Sequence, residues 1–566
     1  MTRRRPGLVA RPDDRRSVDL AEAKGLDSDS RGVAVWTMVS RGTGLVRVVV
    51  TGATLGPTFF ANAFQTTNLV PNITFEVAAG ALLTALVVPP LVQAIEHAGL
   101  GRAQEIASGL LGVVIVAFLA AGALVLAAGP LIVRLLTSAI DDPVVASTTR
   151  REVWVLLALV APQIALYGVA GIGVAAQNSR RQFALAAAAP ALENIGLIVT
   201  LLASAAWFGV GRDGGAVPTA ELVVLGLGST FAVAAHAALQ LFGARRAGIR
   251  LRPRWGWNDP DVRAILRRSV PAVGAGALTG VWTFSVLVGA GVVPGGVIAF
   301  QVALSFYNLA MAIGARAVGT ATLPRLARAG GAGELGPFRR VYEHGLLATW
   351  SVALPAAVGV ALLARPLATA LAFGRIASPR GIDLLSFALA SLGFALAGGS
   401  VFEFARQAAY ARLDTRSPLI AAATRTTVTL VGVAIAYVGM RGSASALVAI
   451  GVAVTVGDSV AAWFQHRAVI TGAPPASTPF RSALRRPVIM TLVIAGPSIV
   501  VGRVIAARIE GRFGALLALA VAGTLSLAAY GAAARSGRLP GGVGGIAPGP
   551  GAIAEGAPPH RSGGRQ

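Results

Sequence analysis

The chain has 566 residues, 55% hydrophobic and 13% charged, with 69 glycines, no cysteine and a formal net charge of +24. This composition excludes an ordinary soluble domain, and the missing cysteines exclude a disulfide framework, a thiolate metal site and a thiol nucleophile. The basic residues are spread over alternate loops rather than gathered on one face, which argues for membrane topology and against a nucleic-acid partner.

In chain order, residues 1–32 form a polar, basic head, expected to be cytoplasmic and disordered. The apolar run that follows starts too far in, and is too long, for a cleaved signal peptide. Apolar stretches of bilayer-crossing length, about 20 residues, then recur to about Ala534. Fourteen spans are expected: 33–55, 60–93, 105–137, 149–176, 183–207, 218–243, 264–291, 296–317, 339–365, 382–409, 417–439, 443–465, 485–507 and 512–534. The segment 244–263, rich in arginine, reads as a cytoplasmic linker. The tail 536–566 is rich in Gly and Pro and should be disordered. An even number of spans puts both termini in the cytoplasm, in a multi-pass protein of the inner (cytoplasmic) membrane.

An internal repeat is visible at two junctions, VAAQNSRRQFALAAAAP (174–190) and QAAYARLDTRSPLIAAA (407–423). Each ends one helix, crosses a short polar turn bearing arginines and starts another. Six spans separate them, so both copies enter the membrane in the same direction, as in the parallel repeats of secondary transporters. The expected fold is therefore an all-α integral membrane protein of about 14 transmembrane helices. Two pseudo-symmetric six-helix lobes, 33–243 and 264–465, precede two C-terminal helices within 466–535. Small-residue runs such as AVGAGALTG (272–280) read as close helix packing.

Ionisable groups deep in a span are costly and usually face a protein interior or an aqueous cavity. Arg41 lies about 12 Å into the first span and Arg47 about 21 Å, roughly 120° apart around the helix. Glu76 lies in the second span, Glu193 and Asn194 in the fifth, His236 and Gln240 in the sixth. Glu403 and Arg406 lie in the tenth, Arg425 in the eleventh and Asp458 in the twelfth. Two readings stand: intramembrane pairing, such as Arg47 with Glu76 or Arg425 with Glu403 or Asp458, or a cationic cavity for an anionic headgroup, whose phosphate oxygens suit the arginine fork. Glu193, Glu403, Arg406, Arg425 and Asp458 are expected to form an intramembrane charge network. His236 reads as a satisfied interior group. No Walker-type loop, metal-spaced His/Glu cluster or Ser-based triad is present, so no enzyme, cofactor or metal is expected.

The stretch SRGTGLVR (40–47), followed by ANAFQTTNLVPNITFEVAAGALLTALVVP (61–89), resembles the opening of the MviN/MurJ family of lipid II flippases. QNSRRQFALAAAAPALENI (177–195), GTATLPRLAR (319–328) and YARLDTRSP (410–418) resemble its later junctions in the right order. The resemblance covers about residues 33–535 and implies a transporter of the multidrug/oligosaccharidyl-lipid/polysaccharide exporter superfamily. Such a protein turns over undecaprenyl-diphosphate-linked peptidoglycan precursor by alternating access, and has membrane lipids and cell-wall synthesis proteins as its further partners. The implied substrate-binding residues are Arg41, Arg47, Asn62 and Glu76. The chain departs from the family at Phe75 and Ser305, where further arginines are common, at Val48 and Asn62, where acidic residues are common, and in spans 7 and 11, which hold no carboxylate. The alternatives are a flippase for another polyprenyl-linked glycan and a transport-incompetent scaffold for cell-wall synthesis.

Overall fold

The computed structural model describes residues 12–75, 87–211, 217–474 and 485–535. Its helices are α1 (Pro12–Leu55), α2 (Phe59–Phe75), α3 (Val88–Ala127), α4 (Gly129–Thr137), α5 (Pro143–Val160), α6 (Pro162–Ser179), α7 (Ala184–Phe208), α8 (Thr219–Arg246), α9 (Pro260–Ala290) and α10 (Gly296–Met311). A π-helical turn, Ala312–Arg316, leads into α11 (Ala317–Gly331), α12 (Leu335–Leu362), α13 (Ala364–Leu371), α14 (Pro379–Ala411), α15 (Arg416–Gly439) and α16 (Ser445–Ile470). The last three are α17 (Arg485–Met490), α18 (Gly496–Arg508) and α19 (Gly511–Arg535). There is no strand among the described residues.

Eleven helical stretches among the described residues are long and apolar enough to cross a membrane. They coincide with eleven of the fourteen expected spans. The other three fall on α1, on α2 together with residues 76–86, which lie outside the described residues, and on α9, where only Gly276–Ala290 is a shorter apolar helix. The basic head departs from expectation: from Pro12 onward it is helical and continuous with the first span. The physical reason is in its sequence: Pro12 opens the helix at a position where its missing N–H costs nothing. The tail 536–566 lies outside the described residues.

The described residues fall into two compact units. The first takes Met1–Ser305, Leu371–Ala388 and Thr426–Ala453, and the second takes Phe306–Ala370, Leu389–Arg425 and Val454–Gln566. In the first, α1 packs along α7, α7 along α8, and α6 between α3 and α8. Glycines set the α6–α8 approach: a Cβ on Gly173 would meet that of Gln240 at 2.8 Å, and one on Gly243 would meet the Gln177 amide oxygen at 2.1 Å. Close backbones here let the two glutamines reach each other.

The two repeat junctions end their helices with the same geometry. After α6, the Gln182 N–H donates to Gln177 O and the Arg181 N–H to Asn178 O. After α14, the Asp414 N–H donates to Ala409 O and the Leu413 N–H to Tyr410 O. Both are six-to-one and five-to-two closures with a left-handed residue between. Arg181 (φ 56) and Leu413 (φ 60) occupy that position, and they are the two non-glycine residues of positive φ among those described. Leu413 is 90% exposed, so its side chain returns no packing for the strain. Leu413→Gly is expected to raise stability by about 1 kcal/mol, read as a higher melting temperature in detergent. Beyond the turn, the Asp414 carboxylate accepts the N–H groups of Arg416 and Ser417, each at 3.0 Å, and the Ser417 hydroxyl, capping α15. Burial alone would raise the Asp414 carboxyl, but these donors outweigh it and hold it below the usual carboxylate range.

Candidate functional site

Within the first unit, α1 presents Arg41 on an exposed surface and Arg47 half-buried. Local bonds fix this face. The Thr43 hydroxyl donates to Val39 O at 2.9 Å, and the Asn194 amide of α7 donates to Ser40 O at 3.1 Å and to the Thr43 hydroxyl at 3.3 Å. Gly44 leaves room for that amide. The Arg47 Nε is buried with no hydrogen-bond partner among the described residues, yet the guanidinium is close enough to act electrostatically on Glu193 and Tyr167.

Glu193 is itself fully engaged. The Tyr167 hydroxyl donates to its Oε1 at 2.8 Å, and His236 Nδ1 lies 2.6 Å from its Oε2. Gln240 Nε2 meets His236 Nε2 at 3.4 Å, and Gln177 Nε2 donates to Gln240 Oε1 at 2.6 Å. The His236 tautomer with its proton on Nδ1 satisfies both neighbours, donating to Glu193 and accepting from Gln240. His236 is thus a satisfied interior group, and a polar chain from Gln177 to Glu193 runs through the helix packing beside Arg47.

One of the expected substrate-binding residues, Asn62, stands apart from this face. Asn62 is buried at 6% exposure. Its Nδ2 donates to Val293 O at 2.8 Å and Gly291 O at 3.4 Å, and its Oδ1 accepts the Val297 N–H at 3.1 Å. The amide therefore pins the 291–297 connection in place, with its donor and acceptor both bonded to backbone. Glu76 lies outside the described residues, and with it the suggested Arg47–Glu76 pair.

The remaining charges gather in the second unit. Arg425 Nε donates to Asp458 Oδ1, the Tyr307 hydroxyl donates to Asp458 Oδ2 at 2.6 Å, and the Arg425 guanidinium lies 5.6 Å from the Phe402 ring centroid. Asp458 is fully buried. Gly399 makes the room, since a Cβ there would sit 2.0 Å from the Tyr307 hydroxyl oxygen. Glu403 takes Arg406 Nη2 at 2.7 Å and Arg316 Nε at 3.4 Å. Arg316 closes the π-helical turn, where the extra residue re-aims side chains relative to a plain α-helix. The expected five-residue network is corrected on one point: Glu193 belongs to the first unit and pairs there with His236, while the other four form two ion-pair groups completed by Tyr307 and Arg316. Tyr307, Tyr167 and Gln177 carry no charge, and so no sequence signal marked them.

A chain of bilayer-length helices whose spans hold paired fixed charges is built as a multi-pass membrane transporter. Solved structures share this fold. One described as lipid II flippase MurJ in an inward closed conformation matches with a TM-score of 0.68, at 17% identity, over 89% of this chain and 99% of that one. An inward-facing multidrug resistance MATE family transporter of the MOP superfamily matches with a TM-score of 0.58, at 15% identity, over 78% of this chain and 96% of that one. The profile of the lipid II flippase MurJ family matches residues 52–510, and the chain belongs to that family. Among its relatives, a probable lipid II flippase MurJ of Rhizobium meliloti is 27% identical over 393 residues, 68% of this chain and 70% of the relative. A lipid II flippase MurJ of Burkholderia cenocepacia is 23% identical over 401 residues, 68% of this chain and 73% of the relative. Arg41 and Arg47 precede the matched segment, so their role rests on chemistry rather than on the profile.

Proposed function

We propose that this protein translocates lipid II, the undecaprenyl-diphosphate-linked peptidoglycan precursor, across the cytoplasmic membrane by alternating access, with Arg41 and Arg47 meeting the anionic headgroup. Family membership over residues 52–510 supports the substrate class. The observation that carries the site is Arg47: a half-buried cation on a membrane helix whose Nε has no partner among the described residues, beside a carboxylate already engaged by Tyr167 and His236. A fixed cation left with donor capacity inside a span suits a phosphate oxygen. The polyprenyl tail stays in lipid while the headgroup crosses. The matching turns after α6 and α14 support a duplicated plan in which 33–243 and 264–465 act as the two lobes. The protein sits in the inner membrane with both termini in the cytoplasm, and cell-wall synthesis proteins are its partners.

Arg47→Ala is expected to weaken binding of lipid II to the purified protein by on the order of tenfold to a hundredfold, the worth of a charge-assisted hydrogen bond. Growth rescue of a flippase-depleted strain should fall with it. Arg47→Lys should recover only part, because an ammonium lacks the planar fork. Full rescue by both Arg41→Ala and Arg47→Ala would remove the headgroup role. Phe75 and Ser305, standing where the family commonly has arginines, favour a second reading, a flippase for a different polyprenyl-linked glycan. Tighter binding of an unrelated diphosphate lipid than of lipid II would select it.

A further inference from the structure

The segment between α8 and α9 is an ordered strap laid along α3. The Arg250 N–H donates to Gln104 Oε1 at 3.0 Å, the Arg252 N–H to the Ser108 hydroxyl at 3.3 Å and the Arg254 N–H to Ser108 O at 3.3 Å. Backbone meets backbone at two glycines of α3: a Cβ on Gly109 would stand 3.1 Å from the Gly256 Cα, and one on Gly112 would stand 2.0 Å from Arg254 O. Side chains alternate along the strap: Ile249 and Leu251 turn into the core around α3, and the arginines between and after them turn out. Arg250, Arg252 and Arg254 of the strap, and Arg263, Arg267 and Arg268 on the first turns of α9 that follow it, are all exposed.

These charges have no local neutralisation. The only carboxylates from 245 to 268 are Asp259 and Asp261. Both are taken by Arg102 of α3, at 2.8 Å and 2.7 Å. Burial would raise the Asp259 carboxyl, but the Arg102 guanidinium and the N–H groups of Asp261 and Val262 together outweigh it and keep it below the usual carboxylate range. Among the described residues no carboxylate pairs with Arg250, Arg252, Arg254, Arg267 or Arg268.

The strap also carries a depth marker. Trp255 and Trp257 stack with centroids 6.5 Å apart and stand 60% and 50% exposed. They lie where α3 changes character. α3 turns at Gly99 (φ 81), and the stretch beyond that kink opens with the polar Arg102, Gln104 and Glu105 before its apolar run begins at Ile106 and shows exposed Val116 and Leu119 a turn or two beyond the strap. Exposed tryptophans at that boundary belong at headgroup level. Beside them, Pro260, Arg263, Ala264, Arg267 and Arg268 line a depression of about 350 Å³. Arg263 is held there by donating to the carbonyls of Trp257 and Asn258 at 3.2 and 3.3 Å.

We propose that this strap and the first turns of α9 form an interfacial docking surface for anionic phospholipid, with Trp255 and Trp257 seated among the headgroups and Arg263, Arg267 and Arg268 holding a lipid phosphate. Acting as an orientation signal alone, the arginines would need neither a rigid strap nor exposed tryptophans. The occupant is the bilayer's own lipid, distinct from the transported molecule, so the surface stands whether or not lipid II is the cargo.

The chain has no cysteine, so Asn258→Cys offers a unique attachment point for a spin label in the full-length protein. In phosphatidylcholine nanodiscs doped with phosphatidylglycerol, the label should be shielded from a water-soluble nickel relaxation agent, and more so than in phosphatidylcholine alone. Preference for phosphatidylglycerol over phosphatidylcholine should fall by about fivefold for each of Arg263→Gln, Arg267→Gln and Arg268→Gln, with melting temperature unchanged. A label equally open to water in both lipids would overturn the proposal. So would an unaltered lipid preference in the triple variant, or equal competition by inorganic phosphate.

Discussion

Replacing Asp458 by alanine is expected to cost about 3–5 kcal/mol of stability, because removing one partner of a buried ion pair strands the other. Asp458 is fully buried in α16, and Arg425 in α15 directs its Nε at it. In the alanine variant the guanidinium would keep the Tyr307 hydroxyl at 3.5 Å and the Phe402 ring at 5.6 Å. Neither of these neutralises it, Glu403, which also acts on it, is already shared with Arg406 and Arg316, and a desolvated cation–π contact returns only about 2 kcal/mol. Tyr307 loses its acceptor in the same stroke. The double variant Arg425→Met, Asp458→Leu removes both charges and is expected to recover most of the loss, since apolar replacement of a whole buried pair is often neutral. Thermal unfolding of the three variants in one detergent tests this. Equal losses in the single and double variants would place the cost in packing around Gly399 rather than in charge.

The spans were legible because bilayer length and apolarity leave few alternatives, and eleven of the expected segments fall on helices fit to cross a membrane. Their interruptions were not. The π-helical turn at 312–316 leaves no mark in hydropathy, and the separation of α5 from α6 at Ala161 is set by Pro162, which lacks the N–H a continuous helix needs and which hydropathy does not register. Charged residues announced themselves one by one, but their pairing depends on helix crossings. That is why Glu193 was grouped with Glu403 and Asp458 although its partners are Tyr167 and His236. Asn62, a polar residue in a family-like motif, holds the backbone of the 291–297 connection, a contact more than two hundred residues away that no local pattern announces. Gly399 and Gly243 matter through the side chains they admit, and a lone glycine among 69 carries no such message.

Glu193→Ala is the second variant expected to cost several kcal/mol, about 3, since it takes a buried acceptor from two groups and a nearby carboxylate from a third. Tyr167 and His236 lose their acceptor in a buried site, and Arg47 loses the carboxylate beside it. Glu193→Gln separates hydrogen bonding from charge. Its amide can still accept from Tyr167, and it can donate to His236 once the ring takes the other tautomer and Gln240 turns its amide. Its cost should then be under half that of alanine. A glutamine variant as unstable as the alanine one would mean that the negative charge, rather than the hydrogen bonds, holds the site together. The cycle that adds Arg47→Ala to Glu193→Ala then decides what Arg47 is for. No hydrogen bond joins the two side chains, so their coupling should stay at about 1 kcal/mol or below, the range of a partly screened pair. A coupling of about 3 kcal/mol would make Arg47 the structural counter-ion of Glu193 and withdraw it from the headgroup; a weak one leaves its guanidinium fork available to a diphosphate.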